Sequence, residues 1–337
     1  MRKIRVGGKH IGEEEPCFII AEAGSNHNGS LEQAKKLIDV AAEAGADAVK
    51  FQIFKAEELS ADKEIQRMLK KFELRRDWIA ELSEHAKRKN LMFLATPFDI
   101  EAVDLLDEIN VPAFKIASGD LTDLPLIKYI AEKGKPIILS VGLGSLEEIR
   151  EALDVIYSTG NRNVVLLHCV ASYPTKPEDA NLKVIKTLKR EFRVPVGFSD
   201  HTMEISVPIG AVALGADIIE KHFTLDRKLE GPDHPYALEP EELMIMVKGI
   251  RDVEKALGPE IKQVGEPERK ELISARRSIH AKGDISKGTT ITKDMIKIVR
   301  PCTGIEPKHL NRVLNAKAKK NIFKDDVITW NDLDLRR

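Results

Sequence analysis

Phe18-Ile19-Ile20-Ala21-Glu22-Ala23-Gly24 is a short apolar run that ends on a carboxylate and a glycine. A stretch of helical periodicity follows at 31–44. Leu31, Ala34, Leu37, Ile38 and Ala41 lie on one stripe, with Lys35, Lys36 and Asp39 off it. Ser30 is placed to cap this helix and Gly45 to end it. A second run, Ala48-Val49-Lys50-Phe51-Gln52-Ile53-Phe54, comes next. The alternation then continues, with apolar runs at 92–98, 113–119, 136–142, 164–170, 195–201 and 218–224. Helical periodicity recurs at 77–89, 145–158 and 181–192. Eight strand candidates alternating with helices predict an α/β fold, a (β/α)8 TIM barrel. A doubly wound sheet usually has fewer strands and a Gly-rich first turn. Here the first turn is Gly24-Ser25-Asn26-His27-Asn28-Gly29, which is not G-x-G-x-x-G.

The pattern changes after Leu257. Residues 258–277 are polar and charged, contain Pro259 and Pro267, and read as a linker. From 278 to 337 the short runs at 278–281, 289–292, 296–299 and 327–330 are separated by turns such as Lys282-Gly283-Asp284. They predict a small β-rich domain of about 60 residues, near the lower limit for independent folding. The expected division is a barrel over 1–257, a linker over 258–277 and the small domain over 278–337.

Composition narrows the function classes. Lys and Arg total 53 against 54 Asp and Glu in 337 residues, a formal charge of −1. A nucleic-acid binder usually carries a basic excess, so none is expected as a partner. The 42% hydrophobic content can build a substantial core. No apolar run approaches the roughly 20 residues that span a bilayer, and the first residues lack a signal-peptide core. Cys17, Cys169 and Cys302 are odd in number and scattered. They give neither a disulfide framework nor a zinc spacing and suit a reducing cytoplasm.

Barrel enzymes of this kind carry their chemistry at the C-terminal ends of the strands. Polar residues collect there. Glu22 closes the first run, and Lys50 and Gln52 share a face of the second. Thr96, Lys115, Ser118, Asp120 and Ser140 follow on the next three, and Tyr173 lies just beyond the sixth. Ser199 and His201 share a face of the seventh, and Glu220 and His222 a face of the eighth. Charges inside strands are costly unless paired or used. Singly, each has a plainer reading: His168 as a hydrogen-bonded core histidine, Glu220 as the partner of a barrel lysine. Together, Lys50, Lys115, Thr96, Ser118, Ser140 and Ser199 make an ammonium-and-hydroxyl lining suited to a phosphate or carboxylate. His201 and His222, on adjacent strands, can converge on one divalent metal. Imidazole suits manganese, iron or zinc, and two ligands leave positions for water and substrate.

These residues resemble the sialic acid synthase family. The resemblance is carried by Ile20-Ala21-Glu22-Ala23-Gly24-Ser25-Asn26-His27-Asn28-Gly29, Val49-Lys50-Phe51-Gln52, Ala95-Thr96-Pro97-Phe98 and Phe114-Lys115-Ile116-Ala117-Ser118-Gly119-Asp120. It continues through Leu167-His168-Cys169, Gly197-Phe198-Ser199-Asp200-His201-Thr202, Glu220-Lys221-His222-Phe223-Thr224 and Gly231-Pro232-Asp233-His234. The tail, with Arg300-Pro301 and Gly304, resembles the family's antifreeze-like SAF domain, a β-clip fold. The resemblance implies condensation of phosphoenolpyruvate with an open-chain N-acylated amino sugar such as N-acetylmannosamine. It implies release of phosphate with C–O cleavage, which makes the protein a transferase. It gives His201 and His222 to a divalent metal, typically manganese, with magnesium or cobalt as alternatives. It gives Lys50, Thr96, Lys115, Ser118, Ser140 and Ser199 to phosphoenolpyruvate, and Gln52, Tyr173, Asp233 and Arg300 to the sugar. Glu22, Lys50, Lys115 and Asp120 become the catalytic candidates. Asp120 stands where the family commonly has Glu. Arg300 is implied to act in trans, across a domain-swapped homodimer.

One departure concerns the sugar. Ala171 stands two residues before Tyr173, where members making N-acetylneuraminate often carry Asn. N-acetylneuraminate is the expected product, with legionaminic, pseudaminic and spore-coat sugar acids as alternatives. A Schiff-base aldolase using Lys115 or Lys50, and a noncatalytic sugar-binding protein, are the rival classes.

Overall fold

The structure is a computed structural model that describes residues 3–335. The chain opens with a hairpin, β1 (Ile4–Val6) and β2 (Lys9–Ile11), paired antiparallel with Ile4 opposite Ile11. Among the described residues, eight parallel strands then form one sheet. They are β3 (Phe18–Gly24), β4 (Ala48–Ile53), β5 (Met92–Pro97), β6 (Phe114–Ile116), β7 (Ile137–Ser140), β8 (Val164–Cys169), β9 (Val196–Asp200) and β10 (Ile218–His222). Their order is β5-β4-β3-β10-β9-β8-β7-β6, and the first and last lie side by side, so the sheet curls nearly shut. Each of the eight expected runs holds one strand. The expected TIM-type barrel is the observed fold.

The helices follow from local signals. Ser30 Oγ accepts the Gln33 N–H at the start of helix Leu31–Glu43, and Gly45 beyond its end has φ of +81°. Ser145 and Glu148 make a reciprocal capping box before helix Leu146–Ser158. The stretch at 181–192 becomes helical only at Val184, since Asn181 has φ of +46°, outside the helical region.

Strand alternation sorts two cores. One lies between sheet and helices and includes Ile19, Val49, Phe51, Leu139 and Ile219. The other fills the barrel interior with Phe18, Ile20, Ala48, Leu94, Ile138, Val165, Leu167 and Ile218. Ile4, Val6 and Ile11 of the hairpin pack onto this second layer and plug the N-terminal end of the barrel. The interior is crowded at Gly197, where an added Cβ would lie 2.4 Å from the Ile218 carbonyl oxygen. The hairpin was not anticipated from the sequence, because three-residue strands show no usable periodicity.

Asp47 ties these parts together. Its carboxylate accepts the Ile19 N–H at 2.7 Å and pairs with Arg251 of helix Pro240–Leu257 at 3.0 Å. It also pairs with Lys9 of the hairpin.

The contacts divide the chain into two compact units, 1–258 and 259–337. The second begins with short helices Glu266–Arg269 and Glu271–Ala275. Its β strands are β11 (Ser278–Ala281) paired with β12 (Ile296–Val299), and β13 (Lys317–Ala318) paired with β14 (Leu333–Asp334). Ile279, Ile291, Ile305, Val313, Ile322 and Ile328 form its own core. No helix among the described residues is long and apolar enough to cross a membrane.

Replacing Asp47 by Ala removes an acceptor shared by the hairpin, the first barrel strand and the last barrel helix. We expect a loss of about 2 kcal/mol in unfolding free energy by denaturant titration. A loss within error of zero would show that the hairpin plug does not depend on this carboxylate.

Candidate functional site

The barrel interior is apolar at its lower layer and polar at its upper one. Glu22, Lys50, Thr96, Lys115, Ser140, Ser199 and Glu220 are all buried there. Glu22 lies opposite Lys50 across β3 and β4, and Glu220 lies opposite Ser199 across β10 and β9. Lys50 Nζ pairs with Glu22 Oε2 at 2.8 Å and donates to Thr96 Oγ1 at 3.1 Å. Lys115 donates to Ser140 Oγ at 2.7 Å and to the Ile116 carbonyl at 3.1 Å. Glu220 sits between the lysines, 3.8 Å from Lys50 and 3.7 Å from Lys115, and accepts from Ser199 Oγ at 3.0 Å. Gln52 Nε2 donates to Glu22 Oε1 at 2.8 Å.

The electrostatics of this quartet are uneven. Burial raises the Glu22 carboxyl to about 7 against the pull of Lys50, and neighbouring Glu220 adds to the rise. Burial also acts on Glu220, but Lys115 and Lys50 together hold it below the usual carboxylate range. Burial lowers the Lys115 ammonium. For Lys50, Glu22 and Glu220 overcome burial and the pKa rises. Glu220 Oε2 is buried without a hydrogen-bond donor, and Glu22 Oε2 has only the Lys50 ammonium beside it. A buried polar group left so is expected to meet a ligand or water.

Beside the quartet stand two imidazoles. The rings of His201 and His222 are 5.4 Å apart by centroid. His201 Nδ1 is 3.1 Å from the Val170 carbonyl, which leaves Nε2 for another partner. His222 Nδ1 is buried without a hydrogen bond, 3.9 Å from Asp233 Oδ2. Burial, with each other's proximity for His201, holds His201 at about 4 and lowers His222, so both are neutral donors. Among the described residues no group of three or more His, Cys, Asp and Glu is disposed to hold a metal. The two imidazoles are the nitrogen ligands that a metal could take at this place, with no third such side chain among the described residues disposed beside them.

The lining divides into two connected chambers. The inner one, of about 60 Å³, is walled by the quartet with Thr96, Ser118, Ser140, Ser199 and Cys169. The outer one, of about 310 Å³, is walled by Gln52, Tyr173, His222, Pro232, Asp233 and Tyr236. Gln52, Tyr173 and His222 face both. The Tyr173 ring lies 4.3 Å from that of His201.

The loop after β3 is braced to position Asp233. Asn26 Nδ2 donates to the Phe223 carbonyl, and Gln33 Nε2 to the Asn26 carbonyl. His234 spans Thr224 and Asn28 with its two ring nitrogens. Gly24 has φ of +51°, and an added Cβ would lie 2.6 Å from Asp233 Oδ2. A carboxylate can approach this closely only because residue 24 has no side chain. On the outward face, Lys221 pairs with Asp200 at 2.7 Å and donates to the Thr202 carbonyl. This buried pair joins β9 and β10 beside both histidines.

Most of the expected site residues of the first unit meet here, with Asp120 set apart. Asp120 closes the short turn Ser118–Asp120 outside the chamber lining, with Oδ2 buried and unpartnered. Burial and Asp123 raise it to about 6. Arg300 is exposed and belongs to the second unit. His168 points outward and is 2.9 Å from the Ala180 carbonyl, the plainer reading given to it. Cys169 faces inward instead. The alternation of Val165 and Leu167 in the interior core carries that signal. Tyr236 had no signal, since it lies in an irregular loop beyond the last strand.

The NeuB family model matches residues 37–262, and the SAF domain model matches 276–334. An uncharacterized protein of Methanocaldococcus jannaschii is 49% identical over 99% of both chains. The N,N'-diacetyllegionaminic acid synthase of Campylobacter jejuni is 45% identical, over 92% of this chain and 98% of its own. A crystal structure of the N-acetylneuraminic acid synthetase of Leptospira borgpetersenii, in complex with citrate, has a TM-score of 0.76. It is 41% identical, covering 80% of this chain and 95% of its own. Further relatives are named as N-acetylneuraminate-9-phosphate and pseudaminic acid synthases. The chain belongs to the NeuB family of sialic-acid-type synthases and carries the SAF domain at its C-terminal end.

Proposed function

We propose that this protein condenses phosphoenolpyruvate with the open-chain aldehyde of an N-acylated amino sugar and releases inorganic phosphate. The observation that carries the reading is the inner chamber, where two buried ammonium groups and four hydroxyls open directly onto a neutral histidine pair. Lys50 and Lys115 neutralise the phosphate and carboxylate of phosphoenolpyruvate, with Thr96, Ser118, Ser140 and Ser199 as hydrogen-bonding partners. The sugar occupies the outer chamber against Gln52, Tyr173 and Asp233. A divalent metal on His201 and His222, manganese in our reading, polarises the aldehyde oxygen when bound. The enol carbon then forms a bond to the aldehyde carbon, and positive character develops at C2. Water adds there, and the tetrahedral intermediate expels phosphate by breaking its C2–O bond. The added water oxygen becomes the keto oxygen of C2 and gives up both its protons, one to the new hydroxyl and one to the departing phosphate. Glu22, poised at about 7, can hold a proton for either event.

The expected sugar is N-acetylmannosamine, giving N-acetylneuraminate. A diacetylated six-deoxy amino sugar is the second reading. Ala171 supports it, having neither donor nor acceptor on its side chain. So does the 45% identity to the Campylobacter jejuni N,N'-diacetyllegionaminic acid synthase, against 41% to the Leptospira borgpetersenii N-acetylneuraminic acid synthetase and 36% to the human N-acetylneuraminate-9-phosphate synthase. We further propose a homodimer in which Arg300 of one chain serves the sugar of the other.

Incubation with phosphoenolpyruvate, manganese and each sugar should release phosphate and yield a nine-carbon acid by mass spectrometry. Borohydride with pyruvate should leave the chain unmodified; a trapped lysine adduct would favour the aldolase instead. Lys115→Ala should raise the KM for phosphoenolpyruvate by about 10- to 100-fold and that for the sugar far less. Equal losses would count against the assigned pocket. His222→Ala and exhaustive chelation should each abolish turnover, with manganese restoring only the chelated protein. Full activity after chelation would remove the metal from the reading. Finally, Arg300→Ala and His222→Ala chains, each inactive alone, should regain activity when co-assembled. Full activity in a chain ending before residue 278 would overturn the shared site.

A further inference from the structure

We propose that Tyr236 is a positioning residue that fixes Asp233 in the outer chamber and so decides which hydrogen-bond donor of the amino sugar is read there. This rests on the synthase reading. Tyr236 ends the short turn His234–Tyr236 and is buried. Its hydroxyl donates to Asp233 Oδ1 at 2.7 Å. Asp233 Oδ2 accepts twice from Ser25, from the backbone N–H at 3.1 Å and from Oγ at 2.8 Å. Gly24 lets the carboxylate press against the end of β3. Asp233 is therefore gripped from two sides, by the first strand's loop and by Tyr236.

Counting acceptor positions gives the consequence. A carboxylate offers about four. Two on Oδ2 are taken by Ser25, and one on Oδ1 by Tyr236. The remaining position on Oδ1 lies beside the Tyr236 oxygen, which can itself accept. Burial and the Asp233 charge keep the phenol protonated, so it stays a donor to Asp233. The two oxygens form a paired acceptor suited to one hydroxyl or amide N–H of the sugar. The Tyr236 ring also stands edge-on to His222, with centroids 5.2 Å apart, and 5.5 Å from the Tyr173 ring. Its hydroxyl and its ring thus touch both sides of the sugar chamber. Phosphoenolpyruvate, held by the lysines, lies outside its reach, since Tyr236 does not line the inner chamber.

The test is Tyr236→Phe in the full-length, manganese-loaded protein, which keeps the ring and removes only the hydroxyl. Loss of a hydrogen bond to a carboxylate should raise the sugar KM by about tenfold. The KM for phosphoenolpyruvate and the manganese affinity, read by electron paramagnetic resonance, should stay within about twofold. An unchanged sugar KM, or an equal rise for both substrates, would overturn the inference while leaving the synthase reading intact. Absence of phosphate release in the unmodified protein would instead sink the synthase reading. The inference is then decided by calorimetric titration of N-acetylmannosamine and the diacetylated six-deoxy sugar onto both proteins. Weaker binding to the variant supports it; equal binding, or none to either, overturns it.

Discussion

Four charges enclosed at the top of a barrel set the terms for everything around them. Taking Lys50, Lys115, Glu22 and Glu220 out of water is costly, and ion pairing offsets that cost only when the geometry is good. Here it is incomplete. Glu220 stands almost 4 Å from either lysine, and its Oε2 finds no donor. A structural network would be expected to close these gaps. This one leaves them open around a cavity, and an anionic ligand with hydroxyl neighbours would complete it. The apolar layer beneath, from Phe18 to Ile218, keeps water from approaching the charges from below.

Much of this was readable from the residues in order. The alternation of Glu22 with Ile20 and Phe18, or of Lys50 with Ala48, places charge and hydrocarbon on one face of each strand. That pattern announces an interior whose upper layer is polar. The eight runs gave the barrel because each is bounded by Gly, Pro or charge. What stayed hidden lacked periodicity. The hairpin of Ile4–Val6 and Lys9–Ile11 is too short to show alternation. Tyr236 sits in a loop whose shape depends on Asn26, His234 and Gly24, contacts separated by some two hundred positions in the chain. Asp120 was drawn toward the site by its neighbours in sequence. The turn that follows Ile116 carries it out of the lining, because a strand of three residues ends before it.

The two chambers differ in how they are made. The inner one is built largely on strands, whose hydrogen-bonded register leaves little freedom. The outer one takes Gln52 and His222 from strands but Tyr173, Asp233 and Tyr236 from the loops after β8 and β10. A scaffold of this kind can keep one substrate constant while the other varies, since loop residues change without disturbing a barrel strand. The spread of sugars named among the relatives is consistent with that division. The Lys221–Asp200 pair marks the boundary. It is buried and faces the helices, yet it lies one residue from each histidine, where both chambers meet.

The hairpin beneath the barrel has a bearing on traffic. Ile4, Val6 and Ile11 are almost wholly buried and seal the lower end. Among the described residues, the lysines are reached from above, past Tyr173 and the histidines. A molecule seated on the lysines is then covered by whatever occupies the outer chamber. On the proposed chemistry, entry becomes a queue: the compact anion would have to arrive before the sugar, and a small product formed at the bottom would wait until the larger one above it had moved.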